Sequence, residues 1–336
     1  MYAMTGCPIY RNSTHFDCQL QSKGHIMEER DDFWELKLSI RSDNLEGSLL
    51  IIKDAVKSIW PPNVRIIRDF IDHGIAHSDR VAHHITKLLK ILKLDASKDL
   101  SEIEMYLLLL GVYLHDIGMQ CDVVKFPQIK KIAEDLNADF KDINFNADGS
   151  NNGSSNYSQE QQIAIRDNHQ YLTAAWIKYA YDNRDPYQHS MLDDALKSIP
   201  ELLVTDLMDI CKYHSALPID TAFGECKQDR EVNKTLVAAL LRFADELDVD
   251  RDRVSPGVYK YFRLPPGSSK FWWLHERTGV NLDVETRKVT LKVYLHPDDI
   301  GPYGSSIREF CIDKFQKKNL PLLKVLKTHG IQISIS

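Results

Sequence analysis

The run Met105-Tyr-Leu-Leu-Leu-Leu-Gly-Val-Tyr-Leu114 constrains this chain more than any other stretch. It leaves no solvent face on a helix, so it predicts a helix buried on all sides, the centre of a fold and not its surface. The helix closes on His115-Asp116, and a helix-stopping glycine, Gly118, follows at once. Packing alone does not account for an imidazole and a carboxylate at the end of a buried helix. A capped terminus with His115 at the favourable end of the dipole is the plain alternative. The choice between them depends on what the rest of the chain supplies.

Around this run the chain reads as mainly α. Residues 1–48 are a polar N-terminal extension in which Phe33 to Ile40 forms a strand or a short docked segment. From there the pattern turns helical. Leu49, Ile52, Ala55 and Val56 mark one helix stopped by Pro61-Pro62, and Val64 to His73 a second. Gly74 breaks the pattern, which resumes from Arg80 to Leu94. Further helices are expected over Lys125 to Leu136, from the Ser158-Gln-Glu-Gln161 capping box to about Tyr181, over Leu202 to His214, and over Glu231 to Val249. Residues 143–158, rich in Asn and Ser, form a loop by composition. After Ser255-Pro-Gly257 the character changes. Val280 to Leu295 alternates on both sides of a polar turn and predicts a hairpin, followed by helices over Ile307 to Lys317 and Leu320 to Thr328 and a strand over Ile331 to Ile335. The expected organisation is therefore an extension (1–48), a helical domain (49–255) and a small α+β appendage of hairpin, helix and strand (256–336).

Several histidines occupy positions that face inward. His77 sits at the entry to an apolar helix, four residues after His73, which is a candidate for a supporting role. His169 continues a stripe through Leu172 and Trp176, and His214 continues that of Leu207 and Cys211. Asp245, in Leu236-Val-Ala-Ala-Leu-Leu-Arg-Phe-Ala-Asp245, shares the apolar side of Ala238 and Leu241. A carboxylate placed there must be paired, hydrogen-bonded or metal-bound, and an ion pair with Arg242 would also serve. Together these residues offer four imidazoles and two carboxylates on five helices. Divalent transition metals favour such N/O sets, and a shared carboxylate bridges two ions. His77, His115, Asp116 and Asp245 suffice for one metal, while Asp116, His169 and His214 hold a second. Two such ions activate a hydroxide and stabilise both oxygens of an in-line phosphoryl displacement. The His-rich set favours Mn²⁺ or Fe²⁺ over Mg²⁺, with Ni²⁺, Co²⁺ and Zn²⁺ left open.

Bulk properties narrow the partners. A net charge of -6 argues against a dedicated binder of long nucleic acid but not against a small phosphate-bearing ligand held by metal ions. The six cysteines are scattered without a C-x-x-C pair, as expected for reduced thiols in a cytoplasmic protein. Apolar runs are too short to span a membrane, and Arg11, Asp17 and Lys23 interrupt any leader-like stretch.

Taken together, His77, His115-Asp116 and Asp245 resemble the ordered H…HD…D signature of the HD superfamily of metal-dependent phosphohydrolases. The contexts Ala76-His-Ser-Asp-Arg-Val81 and Leu241-Arg-Phe-Ala-Asp-Glu-Leu-Asp248 are similar to its first and last motifs. The intervening His169 and His214 look like its two-metal version. Gly118-Met119 after the HD pair departs from the phosphodiesterase branches. The wider layout is closer to the HD-CE group of bacterial conflict systems, on the strength of His73-Gly-Ile-Ala-His77, Phe271-Trp-Trp273 and the terminal hairpin-helix-strand.

The resemblance implies an HD-type helical bundle in a cytoplasmic hydrolase acting on a nucleotide-like phosphate ester or anhydride, with metal-bound hydroxide as nucleophile. It implies two metals, the first held by His77, His115, Asp116 and Asp245, the second by Asp116, His169 and His214, with Asp116 bridging and catalytic. His73 is the nearest candidate for the acid, and Arg80, Lys212 and Lys125 are candidates for the substrate phosphate. An Hsp90-like ATPase or another conflict-system protein is the partner such a group implies. Two rival readings stand beside this one. One is a single-strand nuclease, for which Lys314, Lys317, Lys318, Lys324 and Lys327 supply a basic stretch; the other is an HD fold that senses a ligand or partner without turnover.

Overall fold

The computed structural model describes residues 33–328, apart from 34, 61–65, 68–69, 95–98, 141–142, 146–156, 183–189, 220–231, 255–263, 287 and 295–313, together with 334–335. Among the described residues the chain is mainly helical, with one small sheet near its C-terminal end. The Asn/Ser-rich stretch lies almost entirely outside them, as do Pro61-Pro62 and Ser255-Pro-Gly257.

The apolar run forms α3 (Glu102–Leu114), and every residue from Glu104 to Leu114 is buried. Its start is fixed by a capping box in which the Glu104 amide donates to Ser101 and the Ser101 amide donates to Glu104. The other Glu104 oxygen accepts from the Asn233 amide at the start of α9 (Lys234–Glu246). One side chain therefore ties together the beginnings of the two helices whose far ends carry Asp116 and Asp245. The polar atoms that α3 buries are also satisfied. Tyr113 donates to Asp79 and accepts from Lys53, and the Tyr106 hydroxyl pairs with Ser48.

Around α3 lie α1 (Asp43–Ile59), α2 (Ile75–Leu92), α8 (Glu201–Tyr213) and α9, all packed against it. A second group, α4 (Pro127–Asp135), α5 (Gln159–Asp167), α6 (His169–Asp182) and α7 (Met191–Leu196), packs outside these, with α6 as its centre. The C-terminal part consists of α10 (Pro266–Glu276), β1 (Thr278–Asp283), β2 (Lys288–Val293), α11 (Lys314–Thr328) and β3 (Ser334–Ile335). β1 pairs antiparallel with β2, Thr278 opposite Val293, and β3 lies parallel to the other edge of β2. Val289, Phe315, Leu322, Val325 and Leu326 belong to the same core as α3, so the division at 255 does not separate two cores. No helix among the described residues is long and apolar enough to cross a membrane.

Local departures from the sequence expectation have physical causes. The described residues of the segment expected as a helix over Val64 to His73 are irregular, because tertiary partners take its backbone groups. The Ile66 amide donates to Gln120, and the Asp72 carbonyl accepts from Arg253. Gly74 is the N-cap of α2 and not an interruption, which moves His77 into the first turn of the helix. The single helix expected to about Tyr181 is broken at Asn168, whose side chain pairs with the backbone of Asp139 in both directions. α11 runs through Pro321 as one helix, where two were expected. Phe33 to Ile40 docks through buried Phe33, Leu36 and Ile40, and its described residues 35–37 are helical, not extended.

Candidate metal centre

Six side chains reach one point from five helices. His115 and Asp116 leave the end of α3, Asp245 stands in the last turn of α9, and His77 comes from the first turn of α2. His169 is the first residue of α6, and His214 caps the end of α8. Asp116 has φ -103° and ψ 2°, a sparsely populated backbone region common among active-site residues, as the chain turns from α3 into the short 3₁₀ turn Ile117–Gln120. That turn lies directly on the start of α6. A Cβ on Gly118 would stand 2.1 Å from the His169 carbonyl oxygen and 2.7 Å from the Thr173 nitrogen. Thr173 completes the junction by accepting from the Gly118 amide and donating to the His115 carbonyl. Gly118 is thus required by close approach, which a helix-stop reading does not convey.

Asp116 lies at the centre. Its Oδ2 is 3.2 Å from His115 Nε2 and 3.5 Å from His77 Nε2, and its Oδ1 is 3.3 Å from His169 Nε2 and 3.6 Å from His214 Nε2. Asp245 Oδ1 joins the first group at 3.2 Å from His77 Nε2 and 3.8 Å from His115 Nε2. The two carboxylate oxygens of Asp116 therefore face different groups: Oδ2 lies against His73, His77 and His115, of which His77 and His115 also cluster with Asp245, while Oδ1 lies against His169 and His214.

The hydrogen bonds on the far side of each ring fix which nitrogen is free. His115 Nδ1 donates to the Val112 carbonyl at 3.0 Å, His169 Nδ1 to the Arg166 carbonyl at 2.5 Å, and His214 Nδ1 to the Cys211 carbonyl. His77 Nδ1 is 2.5 Å from Asp248 Oδ2. Nδ1 of a neutral ring that donates leaves Nε2 as a lone pair. Yet His77 Nε2 and His115 Nε2 face each other at 3.2 Å, and His169 Nε2 and His214 Nε2 at 2.9 Å. Lone pairs directed at one another inside a protein need a cation between them, either a proton or a metal ion. Donors bound at about 2.0–2.2 Å to one octahedral ion are about 3 Å apart when adjacent, which matches these separations. The donor set of imidazole nitrogens and carboxylate oxygens suits Mn²⁺, Fe²⁺, Co²⁺, Ni²⁺ or Zn²⁺. The residues present fit two such ions.

The charges agree with this arrangement. Burial would raise Asp116 and Asp245, but the imidazoles around them hold both below the usual carboxylate range. Burial and nearby Arg253 press His77 downward, yet its hydrogen bonds with Asp116, Asp245 and Asp248 outweigh them and raise it to about 10. A metal entering this cluster must displace a proton. Asp248, fully buried, was not assigned a role from the sequence. It accepts from Arg80 Nε at 2.9 Å while holding His77, a carboxylate-imidazole pairing that orients a metal ligand from behind. The Asp245-Glu-Leu-Asp248 spacing was the available signal.

A cavity of about 590 Å³ opens beside the cluster, between the helical bundle and the C-terminal part. His73, Asp116, His169, His214 and Asp245 line it. His73 Nδ1 lies 2.7 Å from Asp116 Oδ2 and 3.2 Å from Arg253 Nη2. Burial, opposed by Asp116, lowers its pKa to about 4, so at neutral pH it is a neutral hydrogen-bonding group and not a stored proton.

The three basic residues expected to meet the substrate phosphate are placed elsewhere. Arg80 is engaged with Asp248, Lys212 lies over the Tyr213 ring near Asp209, and Lys125 lies over the Phe126 ring. None of the three lines the cavity, whose cations among the described residues are Arg166, Arg253 and Lys318. Local sequence places a charge near a motif but not on the side that faces the site. Among the described side chains of the basic stretch on α11, Lys318 lines the cavity, and it is paired with Glu246.

The fold and the paired clusters define a helical domain of the HD type, with His/Asp groups able to hold metal ions. The family model HD-CE matches residues 67–314, and the chain belongs to that family. The match continues past residue 255 through α10 and the hairpin. Neither curated proteins nor solved structures gave a match.

Proposed function

We propose that the protein is a metal-dependent phosphohydrolase that cleaves a phosphate ester or anhydride of a nucleotide-like small molecule. The observation that carries this reading is the split of the Asp116 carboxylate, with one oxygen facing each of two pairs of imidazole nitrogens. His77, His115, Asp116 and Asp245 would hold one ion and Asp116, His169 and His214 the other. When bound, two such ions supply Lewis acidity, lowering the pKa of water and offsetting charge on phosphoryl oxygens. The chain's own part is orientation. Carbonyls at the ends of α3, α5 and α8 fix the rings of His115, His169 and His214, and Asp248 fixes that of His77. Met119, Val249 and Leu274 give the cavity wall an apolar share that limits water around the reacting group. The cavity volume is that of a small-molecule site, which favours a nucleotide-sized substrate over a long strand.

Hydrolysis of bis(p-nitrophenyl) phosphate and of a nucleotide panel by Mn²⁺-loaded protein tests this reading. Turnover that disappears on chelation and in Asp116→Ala supports it. Cleavage of single-stranded DNA with every nucleotide left intact would transfer the activity to the nuclease class.

A further inference from the structure

Three cations line the cavity among the described residues, and two of them are already engaged. Arg253 donates to the carbonyls of Asp248 and Asp72 and lies against His73, while Lys318 pairs with Glu246. Arg166 is different. Its guanidinium carbon is 4.7 Å from the centre of the Phe70 ring and 4.9 Å from that of Phe271. The two ring centres are 6.5 Å apart, so the aromatics sit on adjacent sides of the guanidinium and not on its two faces, and neither side chain supplies a hydrogen-bond acceptor for its N–H groups. Against those donors the side chain has one polar contact among the described residues, Asp167 at 3.6 Å, too long for a hydrogen bond. Its backbone carbonyl accepts from His169, so it stands one turn before a ligand of the second cluster.

The C-terminal wall of the cavity adds a second sign of a missing partner. His275 comes from α10, as Phe271 does, and lines the same cavity. Its Nδ1 is buried and has no hydrogen-bond partner. A buried polar atom left in that state is costly, and a ligand in the cavity would relieve it.

We infer that Arg166, held against Phe70 of the bundle and Phe271 of the C-terminal part, binds a second phosphate of the substrate. The cavity would then select compounds with two linked phosphates over those with one. This rests on the hydrolase reading only for which phosphate reacts; binding at Arg166 is separable from turnover. A planar fork is the donor set that matches a phosphate in two places. Because Phe271 packs against that guanidinium and lines the cavity, the C-terminal part is a wall of the recognition site.

Calorimetric titration of the Mn²⁺-loaded protein with methylenediphosphonate and with methylphosphonate tests this inference. The wild type should prefer the diphosphonate by about tenfold or more, the worth of one charge-assisted hydrogen bond. Arg166→Ala should remove the preference while leaving methylphosphonate affinity and Mn²⁺ content unchanged. Arg166→Gln, which keeps a planar polar group against the rings, should do the same and guards against a packing defect in the alanine variant. An unchanged preference in Arg166→Gln, or no preference in the wild type, overturns the inference. Failure to hydrolyse bis(p-nitrophenyl) phosphate, with the Arg166-dependent preference intact, would remove the hydrolase reading and leave this site standing.

Discussion

The Nε2 atoms of His169 and His214 face each other at 2.9 Å while both rings donate from Nδ1 to backbone carbonyls. His77 and His115 repeat the relationship at 3.2 Å on the other side of Asp116, with a carboxylate behind one ring and a carbonyl behind the other. Burying two such pairs without a cation would be costly, since each exposes lone pairs to one another in a medium that screens poorly. The cluster is therefore arranged as a cation site would be, and the consequences of that proposal can be measured.

Asp248→Asn tests the support behind His77. The amide keeps the size of the side chain but removes the charge that Arg80, Arg253 and His77 all address. Loss of such a partner to a metal-bound imidazole costs about 10–100-fold in metal affinity or activity. Mn²⁺ titration should show a loss in this range for the ion held by His77, with the second ion less affected. Equal affinity in variant and wild type would remove Asp248 from the centre.

The metal-free protein should respond to alkaline pH. His77 is raised from an ordinary 6.5 to about 10, so its protonated form stabilises the fold fully below about pH 6.5. That contribution is lost as pH rises through about 10. Urea unfolding of chelator-treated protein between pH 6 and 10 should therefore show falling stability. The stabilisation added by Mn²⁺ should grow over the same window, because less proton has to be displaced. A chelated protein with flat stability over this range would contradict the assignment.

Gly118→Ala should be among the most damaging small changes in the chain. The new methyl group meets backbone, the His169 carbonyl and the Thr173 nitrogen, and backbone cannot move aside as a flexible side chain can. Overpacking of this kind costs about 1–3 kcal/mol, and here the strain would fall on the residue that carries a ligand. Thermal melting should show a clear drop, accompanied by weaker binding of the second ion. A variant that melts with the wild type and retains both ions would show that the junction yields without cost.

That these side chains converge was partly legible in the sequence, because they sit where local pattern is informative. His115-Asp116 closes a run with no solvent face, His214 lies on the stripe of Leu207 and Cys211, and Asp245 lies on the apolar side of α9. The buried helix was legible for the same reason. What escaped depends on approaches between distant segments. Asp248 meets His77 across more than a hundred residues, and Arg166 reaches Phe271 in the C-terminal part. The spacing around Gly118 suggested a helix stop, while the contact with His169 that requires glycine belongs to tertiary packing. The break at Asn168 was hidden because the residues on either side of it all suit a helix, and its cause is a pairing with Asp139. Arg80, Lys212 and Lys125 failed to reach the cavity for a complementary reason: charge is visible in sequence, but its direction is set by neighbours such as Asp248.

Metal content under replete conditions tests the central claim most directly. Protein purified without chelator and equilibrated with Mn²⁺ should carry about two ions per chain by elemental analysis. A His169→Ala/His214→Ala variant should carry about one, and Asp116→Ala should be depleted at both positions. Less than one ion in the wild type, or two ions retained by Asp116→Ala, would contradict a centre bridged by Asp116.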